Sequence, residues 1–207
     1  MPTEKRGQFI VFEGIDGSGK TTQLELFEQY LFRKDKYHHI FKTREPYKQR
    51  EIMQIMAKDN GAYSQAEKLA GLFIQDRQKH VEIISFLLEE GIHVVSDRYK
   101  LSTIAYQSTQ GLDLTDLIER HDEMPVPDLT FIIDVPVELA SERMKQAKEG
   151  RERKFEANLE FQRKLRETYL KFPLLLRGEE IIVVDGRLEI DGLHQQIVDI
   201  YEQFFPS

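Results

Sequence analysis

The stretch Gly14-Ile15-Asp16-Gly17-Ser18-Gly19-Lys20-Thr21 carries the densest chemistry in the chain: glycines at set intervals, then a lysine and a hydroxyl. Its spacing is G-x-x-x-x-G-K-[ST], and it lies between the apolar run Phe9-Ile10-Val11-Phe12 and the helix-like Thr22-Gln23-Leu24-Glu25-Leu26-Phe27. Strand, loop and helix in that order form a phosphate cradle. Glycines reach backbone conformations that a Cβ resists, so successive N–H groups converge on one anion. The helix start adds its own donors. Candidate contacts to a nucleoside triphosphate are therefore Gly14, Asp16, Gly17, Ser18, Gly19, Lys20, Thr21 and Thr22. Lys20 supplies charge to the β- and γ-phosphates, and the Thr21 hydroxyl is placed to ligate Mg²⁺.

Two further places combine charge with a strand end. Asp97 and Arg98 follow Ile92-His93-Val94-Val95-Ser96; the carboxylate can hold the water shell of Mg²⁺ beside Thr21, and the guanidinium can neutralise phosphate. A structural ion pair is the alternative. Arg44-Glu45-Pro46 ends an earlier strand-like run, and Arg44 can fork onto a phosphate as a lysine cannot. A second phosphate-binding arginine opposite a triphosphate cradle implies a phosphorylated acceptor. Phosphoryl transfer to a small phosphorylated molecule therefore ranks ahead of plain triphosphate hydrolysis. Phe73, Arg77 and His80 recur at helical spacing and share a face that could hold a flat base. On the pattern alone the plainer account is preferred, with Phe73 in the core and Arg77 solvated or salt-bridged.

These groups need a scaffold that gathers strand ends. Apolar runs at Phe9–Phe12, His39–Lys42, Ile92–Val95, Leu129–Ile133 and Ile181–Val184 alternate with helix-patterned stretches, which predicts an α/β fold. Runs that are apolar on successive residues suit a parallel sheet covered on both faces, with ligands at the carboxyl ends of the strands. The longest helix is expected over Ser64–Glu90, with Ser64 and Glu67 as a capping box. Others are expected over Val137–Glu149 and from about Phe155 to Phe172. Arg151-Glu152-Arg153-Lys154 beside Gly150 reads as a mobile flap at about 148–156, or as a solvated helix end.

Length and composition narrow the classes. At 207 residues the chain fits one domain spanning 1–207. A net charge of -7 and a pI near 5.5, without a basic stripe, argue against nucleic acid as a partner. There is no cysteine, so thiolate metal sites and disulfides are excluded. No apolar run approaches a membrane span and residues 1–8 are polar, so a soluble cytoplasmic protein is expected. The guanine signature N-K-x-D is absent, which argues against a GTP switch.

Several stretches together resemble the thymidylate kinases, within the nucleoside-monophosphate kinases. They are Phe12-Glu13-Gly14 through Thr22-Gln23, Thr43-Arg44-Glu45-Pro46, Leu72-Phe73 through Lys79-His80, and Asp97-Arg98-Tyr99 leading to Ser102-Thr103 and Ala105-Tyr106-Gln107. Pro127-Asp128-Leu129-Thr130 with Asp134, and Lys154-Phe155-Glu156 ahead of Tyr169, complete the series. The resemblance spans almost the whole chain in the family's order. It implies a three-layer P-loop fold, a five-stranded parallel sheet with helices on both faces, and transfer of the γ-phosphoryl of ATP to dTMP with Mg²⁺.

Carried over by position, the resemblance implies that Phe73 stacks on thymine, Arg77 bonds the base edge and Gln107 helps to read it. Arg44 and Arg98 would grip the dTMP phosphate, Asp16 would accept from the sugar 3′-hydroxyl, and Tyr106 would lie under the deoxyribose. Asp185-Gly186-Arg187 resembles the loop bordering adenine, with Arg187 as the contact. The family places a transition-state arginine after the loop's acidic residue or in the flap; the loop position here is Gly17, so the resemblance assigns it to Arg151 or Arg153, with Lys154 as a substitute. A homodimer is implied as well. The chain departs from the family where a glycine pair often follows the Arg-Glu-Pro stretch, because Tyr47-Lys48-Gln49-Arg50 stands there, which leaves relaxed acceptor choice open.

Overall fold

The computed structural model describes residues 6–48, 50–57, 65–147 and 159–206. The strands are β1 (Phe9–Glu13), β2 (Ile40–Arg44), β3 (His93–Asp97), β4 (Leu129–Asp134) and β5 (Ile181–Asp185). They pair in parallel in the order β2-β3-β1-β4-β5. The described helices are α1 (Lys20–Lys34), α2 (Arg50–Ala57), α3 (Ala66–Glu89), α4 (Lys100–Thr109), α5 (Leu114–Glu119), α6 (Val137–Ala147), α7 (Leu159–Leu175) and α8 (Ile190–Phe204).

Side chains on a strand alternate between faces, and the central strand shows this directly. Ile10 and Phe12 of β1 pack with Leu24, Phe27 and Leu31 of α1 and with Leu193, Ile197 and Tyr201 of α8. Phe9 and Val11 pack on the opposite face with Ile84 and Leu88 of α3. Ile132 of β4 belongs to that second face, in a cluster with Leu101 and Ile104 of α4 and Leu165 and Tyr169 of α7. This is the three-layer α/β sandwich expected. Phe27, fully buried between α8 and the sheet, is the kind of residue whose truncation costs about 3–5 kcal/mol.

β1 is central, and the chain crosses it in going from β3 to β4, which opens a crevice beyond its carboxyl end. The glycine loop, Glu45–Pro46, Arg98, Asp134 and Gly186 all lie along that edge because every strand points the same way.

Some boundaries differ from expectation. Ser64 lies outside the described residues, and the Glu67 carboxylate accepts from Arg120 at 2.6 Å. Between Gly111 and Pro127, a polar and acidic connection in the sequence, lies helix α5, capped by Asp113, whose side chain accepts from Asp116 N. α7 runs past Phe172 to Leu175 with Pro173 inside it; near a helix end the missing N–H removes one bond only, and Leu176 N still reaches Phe172 O at 2.8 Å. The flap at about 148–156, with Arg151, Arg153 and Lys154, lies outside the described residues. Among the described residues, no helix is long and apolar enough to cross a membrane.

Candidate active site

The glycine loop is shaped by backbone. Gly14, Gly17 and Gly19 have φ of 137°, 80° and 98°, and Gly19 caps α1 without a side-chain bond, with no acidic residue in the first turn. The first amides of α1 therefore stay open to an anion. Gly17 is required twice over: its φ is positive, and a Cβ there would lie 2.4 Å from Ala140 O of α6. Ser18 Oγ is buried and has no partner among the described residues. Lys20 folds back onto Gly14 O (3.0 Å) and Ile15 O (2.8 Å). Burial first, and Arg98 second, lower its pKa to about 8.

Asp97 joins this loop to the far side of the cleft. Thr21 Oγ1 donates to its Oδ2 at 3.1 Å, and Arg44 Nη2 donates to the same oxygen at 3.3 Å. The contact follows from register, since Arg44 on β2 is the pairing partner of Asp97 on β3. The Arg44 side chain is 73% exposed, so little holds it apart from this pair. Asp97 Oδ1 is buried and has no partner among the described residues. A carboxylate oxygen left so costs about 1–3 kcal/mol, and water on a cation beside Thr21 would satisfy it. Thr21 and Asp97 thus fit Mg²⁺, which sites of this kind hold through one or two protein groups plus phosphates. Among the described residues no group of three His, Cys, Asp or Glu side chains is placed to hold a metal.

The second cluster centres on Arg98, whose φ of 74° puts a non-glycine residue in the left-handed region at a cost of about 1–3 kcal/mol. Many partners over-determine it. Nη2 pairs with Asp16, Nη1 donates to Ser102 Oγ at 3.0 Å, and the guanidinium lies 5.3 Å over the Tyr106 ring. Burial opposes its charge, yet Tyr106, Asp16, Tyr169 and Glu13 hold its pKa well above the ordinary value. The Tyr106 hydroxyl donates to Asp16 Oδ2 at 3.3 Å. Beneath lies Glu13, fully buried, accepting from Tyr99 N (2.8 Å), Ser102 N (3.1 Å) and Ser102 Oγ (2.6 Å). Burial raises its pKa. Sequence reasoning gave Glu13 and Ser102 no role; a charged residue ending an apolar run was the available signal.

The third cluster surrounds Arg77, 1% exposed on α3. It is salt-bridged and dry, not solvated: Nη2 pairs with Glu45 Oε2 at 2.6 Å, and Nε donates to the same oxygen at 2.7 Å. His80 sits behind, with Nδ1 3.1 Å from Glu45 Oε1 and Nε2 2.9 Å from Thr43 Oγ1. Phe73, one turn before Arg77, packs half-buried against Ile52, Ile55 and Leu69. The departure at residue 47 is absorbed here. Tyr47 stacks on His80 at 4.4 Å and 5°, and the Asp76 carboxylate accepts from Tyr47 N and, at 3.0 Å, from Lys48 N.

Gln107 is 2% exposed, with Nε2 on Gln110 Oε1 at 3.3 Å and its own Oε1 unpartnered. At the other end of the edge Arg187 pairs with Asp185 at 2.7 Å and is 69% exposed. Arg143, which sequence reasoning missed, donates from α6 to Gly186 O at 2.9 Å. The edge thus carries an amide cradle with a lysine, a carboxylate–hydroxyl pair and two guanidinium clusters. Such a site can bind two phosphorylated molecules end to end.

A family model described as thymidylate kinase matches residues 12–197. The chain is 38% identical over 200 residues to a probable thymidylate kinase of Pyrococcus horikoshii, covering 93% of this chain and 95% of that one. It is 38% identical over 209 residues to a thymidylate kinase of Sulfurihydrogenibium sp., covering 95% and 98%. A thymidylate kinase of Carboxydothermus hydrogenoformans is 38% identical over 208 residues, again covering 95% and 98%.

Proposed function

The chain belongs to the thymidylate kinase family, and from that premise we propose that it transfers the γ-phosphoryl of ATP directly to dTMP, giving dTDP and ADP. The observation carrying this reading is the convergence on one sheet edge of the amide cradle with Lys20 and of the guanidiniums of Arg44 and Arg98 around Asp97 and Asp16. Catalysis is positioning and charge neutralisation. The acceptor phosphate is already ionised at neutral pH, so no strong base is needed.

The loop residues 14–22 hold the triphosphate, and Arg187 borders the adenine. Arg44 and Arg98 hold the acceptor phosphate, and Asp16 takes the sugar hydroxyl. Phe73, Arg77 and Gln107 read the base, while Tyr106 lies under the sugar. Both arginines are ion-paired to carboxylates without a ligand, so acceptor binding exchanges one anion for another. Mg²⁺, held through Thr21 and the water shell on Asp97, supplies neutralisation of the phosphate charge when bound. A Cβ at position 17 would fall 2.4 Å from Ala140 O, which supports placing the transition-state arginine at Arg151 or Arg153. The chain acts as one domain with a flap at about 148–156, in the cytoplasm, as a homodimer.

A coupled assay of ADP release with ATP, Mg²⁺ and a panel of dTMP, dUMP, dCMP, dGMP and thymidine tests the reading. dTMP should be preferred and thymidine inert. Preference for thymidine, or no acceptor-dependent ADP, would refute it. Alanine at both Arg151 and Arg153 should lower kcat far more than it raises the dTMP KM.

A further inference from the structure

Arg77 carries five N–H groups and no acceptor, so its partners can be counted. Nε–H goes to Glu45 Oε2 at 2.7 Å, and the two Nη2 hydrogens face Glu45 Oε2 (2.6 Å), Thr103 Oγ1 (2.8 Å) and Tyr99 O (3.2 Å). Nη1 lies 2.7 Å from His121 Nε2. Among the described residues, nothing takes the second Nη1 hydrogen.

His121 follows α5 in the acidic connection and is 1% exposed. Its Nδ1 is 2.6 Å from Leu117 O. A carbonyl only accepts, so Nδ1 bears the hydrogen; a guanidinium only donates, so Nε2 offers a lone pair. The two neighbours together require the neutral Nδ1–H imidazole. The charged groups that act on it most strongly are cationic: Arg77 from α3, Lys100 from α4 and Arg120 at the end of α5. Burial and Arg77 lower its pKa to about 4, consistent with that tautomer.

We propose that His121 is a positioning residue for acceptor recognition: it pins Nη1 of Arg77 so that a single N–H remains, presented as a lone fixed donor to the acceptor base. The inference rests on the reading of Arg77 as a base contact. A lone donor matches a base with a carbonyl oxygen at that edge and opposes one with an amino group. His121 would thus help to separate thymine or uracil acceptors from cytosine. Without it, Arg77 has two unfilled Nη1 hydrogens.

The test compares wild type, His121→Leu, which has no acceptor, and His121→Gln, whose amide oxygen can reach the place of Nε2. Steady-state kinetics with dTMP, dUMP and dCMP are measured beside melting temperature. Leucine should raise the dTMP KM about tenfold, as expected for one lost bond to a charged group, and narrow the dTMP-over-dCMP ratio. kcat and the ATP KM should stay within about twofold, and glutamine should recover most of the dTMP KM. An unchanged dTMP KM in the leucine variant, a parallel rise in the ATP KM, or no rescue by glutamine at equal melting temperature would overturn the proposal.

If the leucine variant does not fold, ¹⁵N shifts of the wild-type imidazole decide: the Nδ1–H tautomer supports the pinning, and Nε2–H or imidazolium at neutral pH refutes it. If wild type prefers another acceptor, the proposed substrate falls, and the same comparison with that acceptor tests His121 alone.

Discussion

The two sides of the cleft are built from different materials. The side proposed for the triphosphate is backbone: amides of the glycine loop and the uncapped start of α1, with Lys20 folded onto the loop's own carbonyls. The side proposed for the acceptor is side chain: Arg77, Glu45, His80 and His121, buried and joined in one series of hydrogen bonds. A backbone cradle is vulnerable to added atoms. A buried side-chain network tolerates no missing ones.

Four experiments would break or sharpen this contrast. Lys20→Ala should reduce turnover about 10³-fold, the scale of losing one preorganised charge at a transferring phosphoryl, with little effect on the dTMP Kd. An equal loss at both substrates would merge the two sides. Glu45→Ala leaves a buried guanidinium unpaired and should cost about 3–5 kcal/mol in urea unfolding; a cost near that of a surface pair would show that water reaches Arg77. Gly17→Ala meets Ala140 O as well as an unfavourable φ, whereas at Gly19 nothing lies within 4 Å of an added Cβ. The first should cost about 3 kcal/mol and the second about 1–2. Equal costs would mean that α6 yields freely.

The smallest effect concerns protons. The Lys20 pKa lies near 8 in the free protein, below its usual 10.5. Between those values the folded chain binds fewer protons than the unfolded one, so the stability contribution rises with pH across that window. A triphosphate in the cradle favours the charged amine, so ATP binding at pH 8.5 should take up part of a proton. Calorimetry in buffers of unequal ionisation enthalpy measures this, and Lys20→Arg should abolish it. Equal heats in both buffers for the wild type would contradict it.

What was legible in the sequence follows the same division. The strands and the layering could be read because apolar runs and turn residues are local signals, and the cradle could be read because a backbone site is coded contiguously. Arg77 could be singled out by its spacing from Phe73, but not its burial: Glu45, Thr103 and His121 reach it from three other segments. His121 had no local signal, being one histidine in an acidic connection. Arg143 was hidden similarly, since only the packing of α6 beside the loop after β5 brings it to Gly186. Helix α5 was obscured because its six residues bury one side chain, Leu117.

The close approach of Ala140 O to where a Cβ would stand at position 17 also bears on how such a chain can change over generations. A lineage starting from this arrangement cannot acquire a long basic side chain at the tip of the loop in one mutational step, because α6 must first tilt away. Whichever alteration came alone would meet a steric or a packing penalty. On the proposal that Arg151 or Arg153 supplies positive charge to the transferring group, the inherited position of α6 favours keeping that charge out of the loop.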